Sequence, residues 1–403
     1  SYIEGYSDRQ SYFPGETIRY YIHCKEVNYR VEIYRLGKEN KLISRSVNLP
    51  RFTQDYLCYS YSWGCKWKNN FSYKLPDNST SGMYSAKLIY NAGRYFWDTF
   101  IVKPPIGSSG DILLLASTNT WQAYNNWGGG SFYSNRVNSD VPSSSNVSFL
   151  RPNPQANPEQ NKAGMHLADA ELFMHQWLEK NNYNYHSYAD IDIHNDQSIL
   201  SKYKLLIIHA HPEYWSQRML EYLKEYLDYG GSLMYLGGNG LYWKVVINTD
   251  LNILEVRKKG DLHYFNASTG GLWKNLGFPQ STILGVSYTS SGIGTYHPFE
   301  VYNEDHWILE NTGLKNGDTF SSECFNCAGG SGHETDKIDI YSPEVDTIAV
   351  GTNPNNGGAH MIYYKRSNGG QVFSASSISF TGTLQQDEKS SMIVKNVINR
   401  FIK

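Results

Sequence analysis

The run Ile112-Leu113-Leu114-Leu115-Ala116 constrains this chain more than any other five residues in it. Five consecutive apolar side chains cannot alternate between core and water, so a strand made of them must be buried on both faces, as in a parallel sheet. Helical periodicity follows. Leu167, Ala170, Met174, Trp177 and Leu178 share one stripe; Met219, Leu220, Leu223, Tyr226 and Leu227 share another from about Ser216, closed by Gly230-Gly231 as a C-cap. Leu205-Leu206-Ile207-Ile208 and Ser232 to Leu236 read as the intervening strands. The order is therefore β-α-β-α-β, which predicts a doubly wound α/β unit. Beyond about residue 255 strand patterns return, and a helix is expected from about Lys389 to Ile402.

Ahead of that run the pattern differs. Thr17 to His23, Tyr29 to Tyr34, Leu57 to Tyr61, Gly82 to Tyr90 and Tyr95 to Val102 read as short strands separated by turn residues such as Pro14-Gly15, Pro76-Asp77 and Asn91-Ala92-Gly93. This predicts an immunoglobulin-like β-sandwich over 1–105, ended by Lys103-Pro104-Pro105, with the α/β domain and its β-rich C-terminal part over 106–403. A length of 403 residues accommodates both. Ser131 to Ala163, rich in Ser, Asn and Pro and without periodicity, reads either as a disordered surface loop or as a lid.

Charge excludes one function class. The 36 Lys and Arg nearly balance the 38 Asp and Glu, for a formal charge of −2, so an electrostatic nucleic-acid binder is not expected. No stretch approaches the ~18 apolar residues of a transmembrane helix. The chain starts at Ser1, and it carries sequons at Asn70, Asn78, Asn146 and Asn266 and 33 tyrosines, features that fit a secreted glycoprotein. Of the five cysteines, Cys58 or Cys65 could pair with Cys24. Cys324 and Cys327 form a C-x-x-C unit that is a loop staple or two idle thiols, since no second C-x-x-C completes a zinc ribbon.

Ligands of parallel sheets bind beyond the strands' carboxyl ends. Three segments occupy such places and should meet in one crevice: Thr118 to Trp127, His209-Ala210-His211-Pro212-Glu213-Tyr214-Trp215 and Gly237-Gly238-Asn239-Gly240. His209, His211 and Glu213 could make a zinc site, although H-x-H on a strand is more often structural. No G-x-S-x-G elbow, no cysteine after a parallel strand, no G-x-G-x-x-G and no P-loop is present, which leaves hydrolysis by activated water as the accessible chemistry.

Together these segments resemble the large (beta) subunit of N,N-dimethylformamidase and its relatives. The resemblance rests on Glu4-Gly5-Tyr6-Ser7-Asp8, Ser11-Tyr12-Phe13-Pro14-Gly15-Glu16-Thr17, Ser81-Gly82-Met83-Tyr84, Asn119-Thr120-Trp121-Gln122-Ala123-Tyr124-Asn125, His211-Pro212-Glu213-Tyr214-Trp215-Ser216, Gly237-Gly238-Asn239-Gly240 and Gly332-His333-Glu334-Thr335-Asp336, in the family's order. It implies a sandwich packed on a class I glutamine amidotransferase-like α/β domain. It also implies a mononuclear Fe(III) held by Tyr84, Tyr124 and Glu213, with His211 as base, Asn239 as an orienting amide and Glu334 as a further acid. The implied activity is hydrolysis of the C–N bond of a small amide. Two departures open a second expectation. The family's amidase has a larger catalytic chain and a small partner subunit, and this aromatic-rich chain reads as extracellular, so a secreted binding or structural glycoprotein on the same fold, recognising an extracellular ligand and free to form oligomers, is the alternative.

Overall fold

The computed structural model describes residues 2–91, 93–133, 144–325 and 327–403. Its N-terminal part is an eight-stranded sheet system organised by one long strand, Thr17–Leu36, where two shorter strands were expected. The first half of this strand pairs with Ile3–Ser7 and Phe71–Lys74, and the second half pairs with Gly82–Asn91 and Lys41–Arg45. The strand thus passes from one sheet into the next, with Lys25, Val27 and Asn28 exposed at the crossing. Between the layers lie Ile18, Tyr20, Ile22, Val31, Ile33, Tyr84, Ala86, Leu88, Phe100 and Val102.

Two expectations in this part are corrected. Leu57 to Tyr61 is not a strand: the chain enters a short helix, Ser60–Trp63, through Tyr59 at φ 62° and leaves it at Gly64 at φ 82°, left-handed values that end extended backbone. Nor does Cys24 pair with Cys58 or Cys65. Cys24 sits in the sandwich core and Cys65 against Tyr6 and Trp67, and all three are free thiols. Cys324 and Cys327 are paired. The Asn70 sequon is put to structural use, because its amide accepts from Ile22 N–H at 2.9 Å and donates to Ile22 C=O at 2.9 Å.

The second part is built on a nine-stranded sheet. Its spatial order is His186–Ala189, Gly110–Ala116, Tyr203–Ala210, Ser232–Gly237, Gln371–Ser374, His360–Lys365, Asp346–Gly351, Phe299–Val301, Thr319–Phe320. The first five strands are parallel and the remainder antiparallel. Pleating sends Ile112 and Leu114 to one face, against Met174, Trp177, Val394 and Ile398 of helices Ala168–Lys180 and Glu388–Phe401. It sends Leu113 and Leu115 to the other, against Met219, Leu220 and Leu223 of helix Gln217–Asp228. Each fully buried leucine contributes about 1.5–3 kcal/mol; a charge at Leu114 would break the layer. Ser216 caps the helix by accepting from Met219 N–H at 3.3 Å, and Gly230 at φ 90° turns the chain out of it.

The two parts are fastened beside the expected boundary at Lys103-Pro104-Pro105. Met83 and Ile101 pack on Trp121, Leu167 and Leu172, while Lys103 Nζ and Ser11 Oγ reach Asp192 Oδ1 at 3.0 and 2.8 Å. Residues 144–163 of the stretch 131–163 carry more regular structure than its composition predicts. Residues 134–143 of this loop or lid lie outside the described ones, but Asn146–Ser148 is a strand of a four-stranded sheet with Ile253–Val256, Trp243–Asn248 and Tyr214–Ser216. Buried Arg151 holds it down, donating to the carbonyls of Asn125, Trp127 and Gly130. Among the described residues no helix is long and apolar enough to cross a membrane.

Candidate active site at the carboxyl ends of the parallel strands

In the parallel half the first strand of the chain lies between the second and the third. Connections therefore leave it in opposite directions, and a crevice opens at the carboxyl ends of Gly110–Ala116 and Tyr203–Ala210. From the first strand a short helix, Thr118–Ala123, delivers Tyr124. The other strand ends at Ala210, whose φ of 55° is costly for a residue with a Cβ, and turns into His211-Pro212-Glu213. The Glu213 backbone is then fixed: its N–H donates to Thr120 Oγ1 at 3.1 Å, and its carbonyl accepts from Tyr242 and Trp243 N–H at 3.0 Å each.

The Glu213 carboxylate gathers phenols. Tyr124 donates to Oε2 at 3.2 Å, and Tyr133 Oη lies 3.0 and 2.9 Å from Oε1 and Oε2. The Tyr124 and Tyr133 rings stack at 4.3 Å, and Tyr214 donates to the Tyr133 oxygen at 2.6 Å. Burial, and then the Glu213 charge, push the Tyr124 and Tyr133 phenols well above their ordinary value. Burial and the Glu334 charge also raise Glu213, against the pull of His211. One cation stands close: Lys258 Nζ, 3.8 Å from the Tyr133 ring centroid and 5.2 Å from that of Trp243, with burial bringing its ammonium down to about 8.

Across from this cluster, His211 Nε2 is 3.2 Å from an oxygen of both Glu213 and Glu334, though neither contact has hydrogen-bonding geometry. Burial lowers the imidazole, but the two carboxylates outweigh it and hold the pKa above the ordinary value. Asn239, at φ 52°, donates its N–H to Asp336 Oδ1 at 2.8 Å and its Nδ2 to Glu334 Oε2 at 2.9 Å, leaving its buried Oδ1 without a partner. A side chain on Gly238 would put its Cβ 2.4 Å from the Glu334 carbonyl, which explains the glycine beside Asn239. Burial would raise Glu334; His211 and the Asn239 amide instead hold it down at about 2. Asp336, pushed up to about 7 by burial, is anchored by the Tyr235 hydroxyl at 2.6 Å.

Five of the six residues carried over from the family resemblance meet here: Tyr124, Glu213, His211, Asn239 and Glu334. Tyr84 does not. Its hydroxyl donates to the Thr80 carbonyl at 2.7 Å and its ring lies 5.9 Å from Phe100 inside the sandwich. On the same strand Met83 faces the α/β part and Tyr84 the opposite way, so strand parity keeps this phenol out of the crevice. His209 is likewise apart, with His175 at 6.4 Å between ring centroids, so the His209-His211-Glu213 zinc arrangement does not form. Among the described residues no three His, Cys, Asp or Glu side chains group as a metal site. The oxygen-rich cluster owes its character to the tyrosines. Sequence reasoning missed Tyr133, Lys258, His166 and His333. His166 packs on Tyr124 at 4.8 Å and on His333 at 4.8 Å. For Tyr133 a faint signal existed, an aromatic pair with Phe132 in an otherwise small and polar stretch.

A sandwich joined to a mixed sheet, with buried tyrosines, carboxylates and a histidine at the sheet's switch point, defines a class of α/β proteins with a hard-oxygen polar site. The family described as N,N-dimethylformamidase beta subunit-like, C-terminal, matches residues 30–392, and the chain belongs to it. It is similar to the N,N-dimethylformamidase beta subunit of Alcaligenes sp., 26% identical over 429 residues, covering 84% of this chain and 55% of that protein. It is similar also to that of Paracoccus aminophilus, at 25% identity and the same coverage. The chain spans about half the length of these curated relatives, at 55% of each. Among solved structures, the mmIFT52 N-terminal domain aligns over 56% of this chain and 87% of its own at 15% identity, with a TM-score of 0.35.

Proposed function

We propose that this chain hydrolyses the C–N bond of a small amide at an iron site held by Tyr124, Tyr133 and Glu213, within an α/β domain of the amidotransferase-like kind. The observation that carries the reading is the convergence of two half-buried phenols on one buried carboxylate at 2.9–3.2 Å. Two phenolates and a carboxylate are a hard, anionic donor set that suits Fe(III) better than Zn(II). Buried atoms left without partners, both His211 ring nitrogens and Asn239 Oδ1, fit a site that receives further groups. When bound, a ferric ion would supply Lewis acidity toward a carbonyl and lower the pKa of water.

The chain's own residues do the rest. His211, set between two carboxylates, is placed to take a proton at Nε2 and pass it to the departing amine. Glu334 keeps the imidazolium form favourable and, through the Asn239 amide, fixes the opposite wall. Asn239 is oriented twice over, by Asp336 on its backbone and Glu334 on its side chain, so it can hold a substrate amide or developing oxyanion without reorganising. Lys258 places a positive charge over the Tyr133 ring and favours its phenolate. A screen of formamides and short acyl amides, scoring released amine by the iron-loaded protein and by the Glu213→Gln variant, tests the proposal. Turnover by the parent and none by the variant is expected; equal rates in both would overturn it.

A further inference from the structure

We infer that the groove beside the N-terminus of helix Gln217–Asp228 is a binding site for a small oxyanion of the phosphate type. The groove has a volume of about 450 Å³ and is lined by His194, Ser216, Arg218 and Lys244 among others. Lys244 carries the inference. The residue is only 6% exposed, and among the described residues its ammonium makes no hydrogen bond or ion pair; the Trp273 ring lies 5.6 Å away, and Glu221 is the carboxylate that acts on it from a longer distance. The lysine is buried along its stem and opens its ammonium on the groove, where a compact anion could supply the bonded counter-charge it lacks.

The surroundings are donors. Arg218 is exposed and also lacks a partner among the described residues. The helix runs for 12 residues, and Ser216 Oγ already serves Met219 N–H, so the N–H groups of Gln217 and Arg218 at the positive end of the helix have no acceptor within it. His194 Nδ1 lies 2.8 Å from the same Ser216 oxygen. With that hydroxyl donating, the imidazole proton sits on Nε2, one more donor on the wall. Two carboxylates share the lining: Glu221, which accepts from Gln217 Nε2 at 2.8 Å, and Asp250. Against them stand two cations, a helix end and an imidazole N–H, an arrangement that a compact anion with several acceptor oxygens satisfies best.

Inorganic phosphate is the probe, titrated into the full chain at constant ionic strength made up with chloride, with thermal midpoint and calorimetric heat as readouts. The inference predicts saturable stabilisation. Affinity falls at least tenfold in Lys244→Met and measurably in Arg218→Ala, and Glu213→Gln leaves the isotherm unchanged, because the groove does not use the sheet-edge carboxylate. If Lys244→Met does not fold, the exposed Arg218→Ala reads the same effect. No saturable binding, binding unaltered by both groove substitutions, or binding abolished by Glu213→Gln would each overturn it.

Discussion

Wholly or partly buried tyrosines are common to both halves of this protein, and the two halves use them differently. In the sandwich, Tyr12 and Tyr84 each satisfy their hydroxyl locally, on Asp8 at 2.7 Å and on the Thr80 carbonyl at 2.7 Å, four residues away in both cases. At the sheet edge, Tyr124 and Tyr133 reach the same carboxylate 89 and 80 residues away, with Tyr214 hydrogen-bonded behind them. Burial raises the phenol pKa in both places, so burial by itself does not mark a site. What distinguishes the sheet edge is that phenol and carboxylate oxygens from distant parts of the chain converge on one point, a set of oxygen donors that a cation would share.

Replacing Glu213 by Gln removes the carboxylate charge on which both phenols converge, and complete loss of bound iron is expected by elemental analysis. Tyr124→Phe and Tyr133→Phe each remove one oxygen; iron affinity should fall more than tenfold with the circular dichroism spectrum unchanged. Asn239→Ala leaves Glu334 without its amide partner and should lower kcat by roughly a hundredfold, the usual scale for one preorganised donor, with little change in iron content.

Smaller effects belong to the sandwich. Asp98 is buried, one of its oxygens has no partner, and its carboxyl is pushed up to about 7 by burial. The folded state thus holds a proton that the unfolded chain releases near pH ~4. Stability contributed by this group is full below that pH and is lost as pH rises to about 7, a loss of a few kcal/mol at most, about 1.4 per pH unit. Urea melts of Asp98→Asn should therefore show a flatter stability profile over that window, and parallel profiles would contradict the assignment. Tyr84→Phe should cost only about 1 kcal/mol, one hydrogen bond, and leave iron content untouched.

Much of this was readable from residue order. Ile112 to Ala116 announced a strand buried on both faces, Ser216 and Gly230 bracketed a helix, and the segments after three strands pointed to a common crevice. Where the reading failed, the cause was distance or parity. Met83 and Tyr84 are neighbours in a motif, and only the pleat decides which of them faces the α/β part. Tyr133 lies in a stretch whose composition signals a loop, and it packs against a cluster that includes Leu254 and Val256, more than a hundred positions later. Lys258 reaches the site from the same region, a placement no local pattern encodes. The cysteines failed for a similar reason, since spacing along the chain does not tell that Cys24 and Cys65 fall into different cores.

We propose that the phenols of the sheet edge, and not that of the sandwich, hold the iron. The most direct test is iron content together with the visible absorption spectrum of the parent, Tyr133→Phe and Tyr84→Phe proteins, because ferric phenolate ligation gives a charge-transfer band. About one iron per chain and a coloured protein are expected for the parent and Tyr84→Phe, with the band lost or shifted and the iron depleted in Tyr133→Phe. An unchanged band and full iron in Tyr133→Phe, or a parent protein that neither contains nor takes up iron, would contradict it.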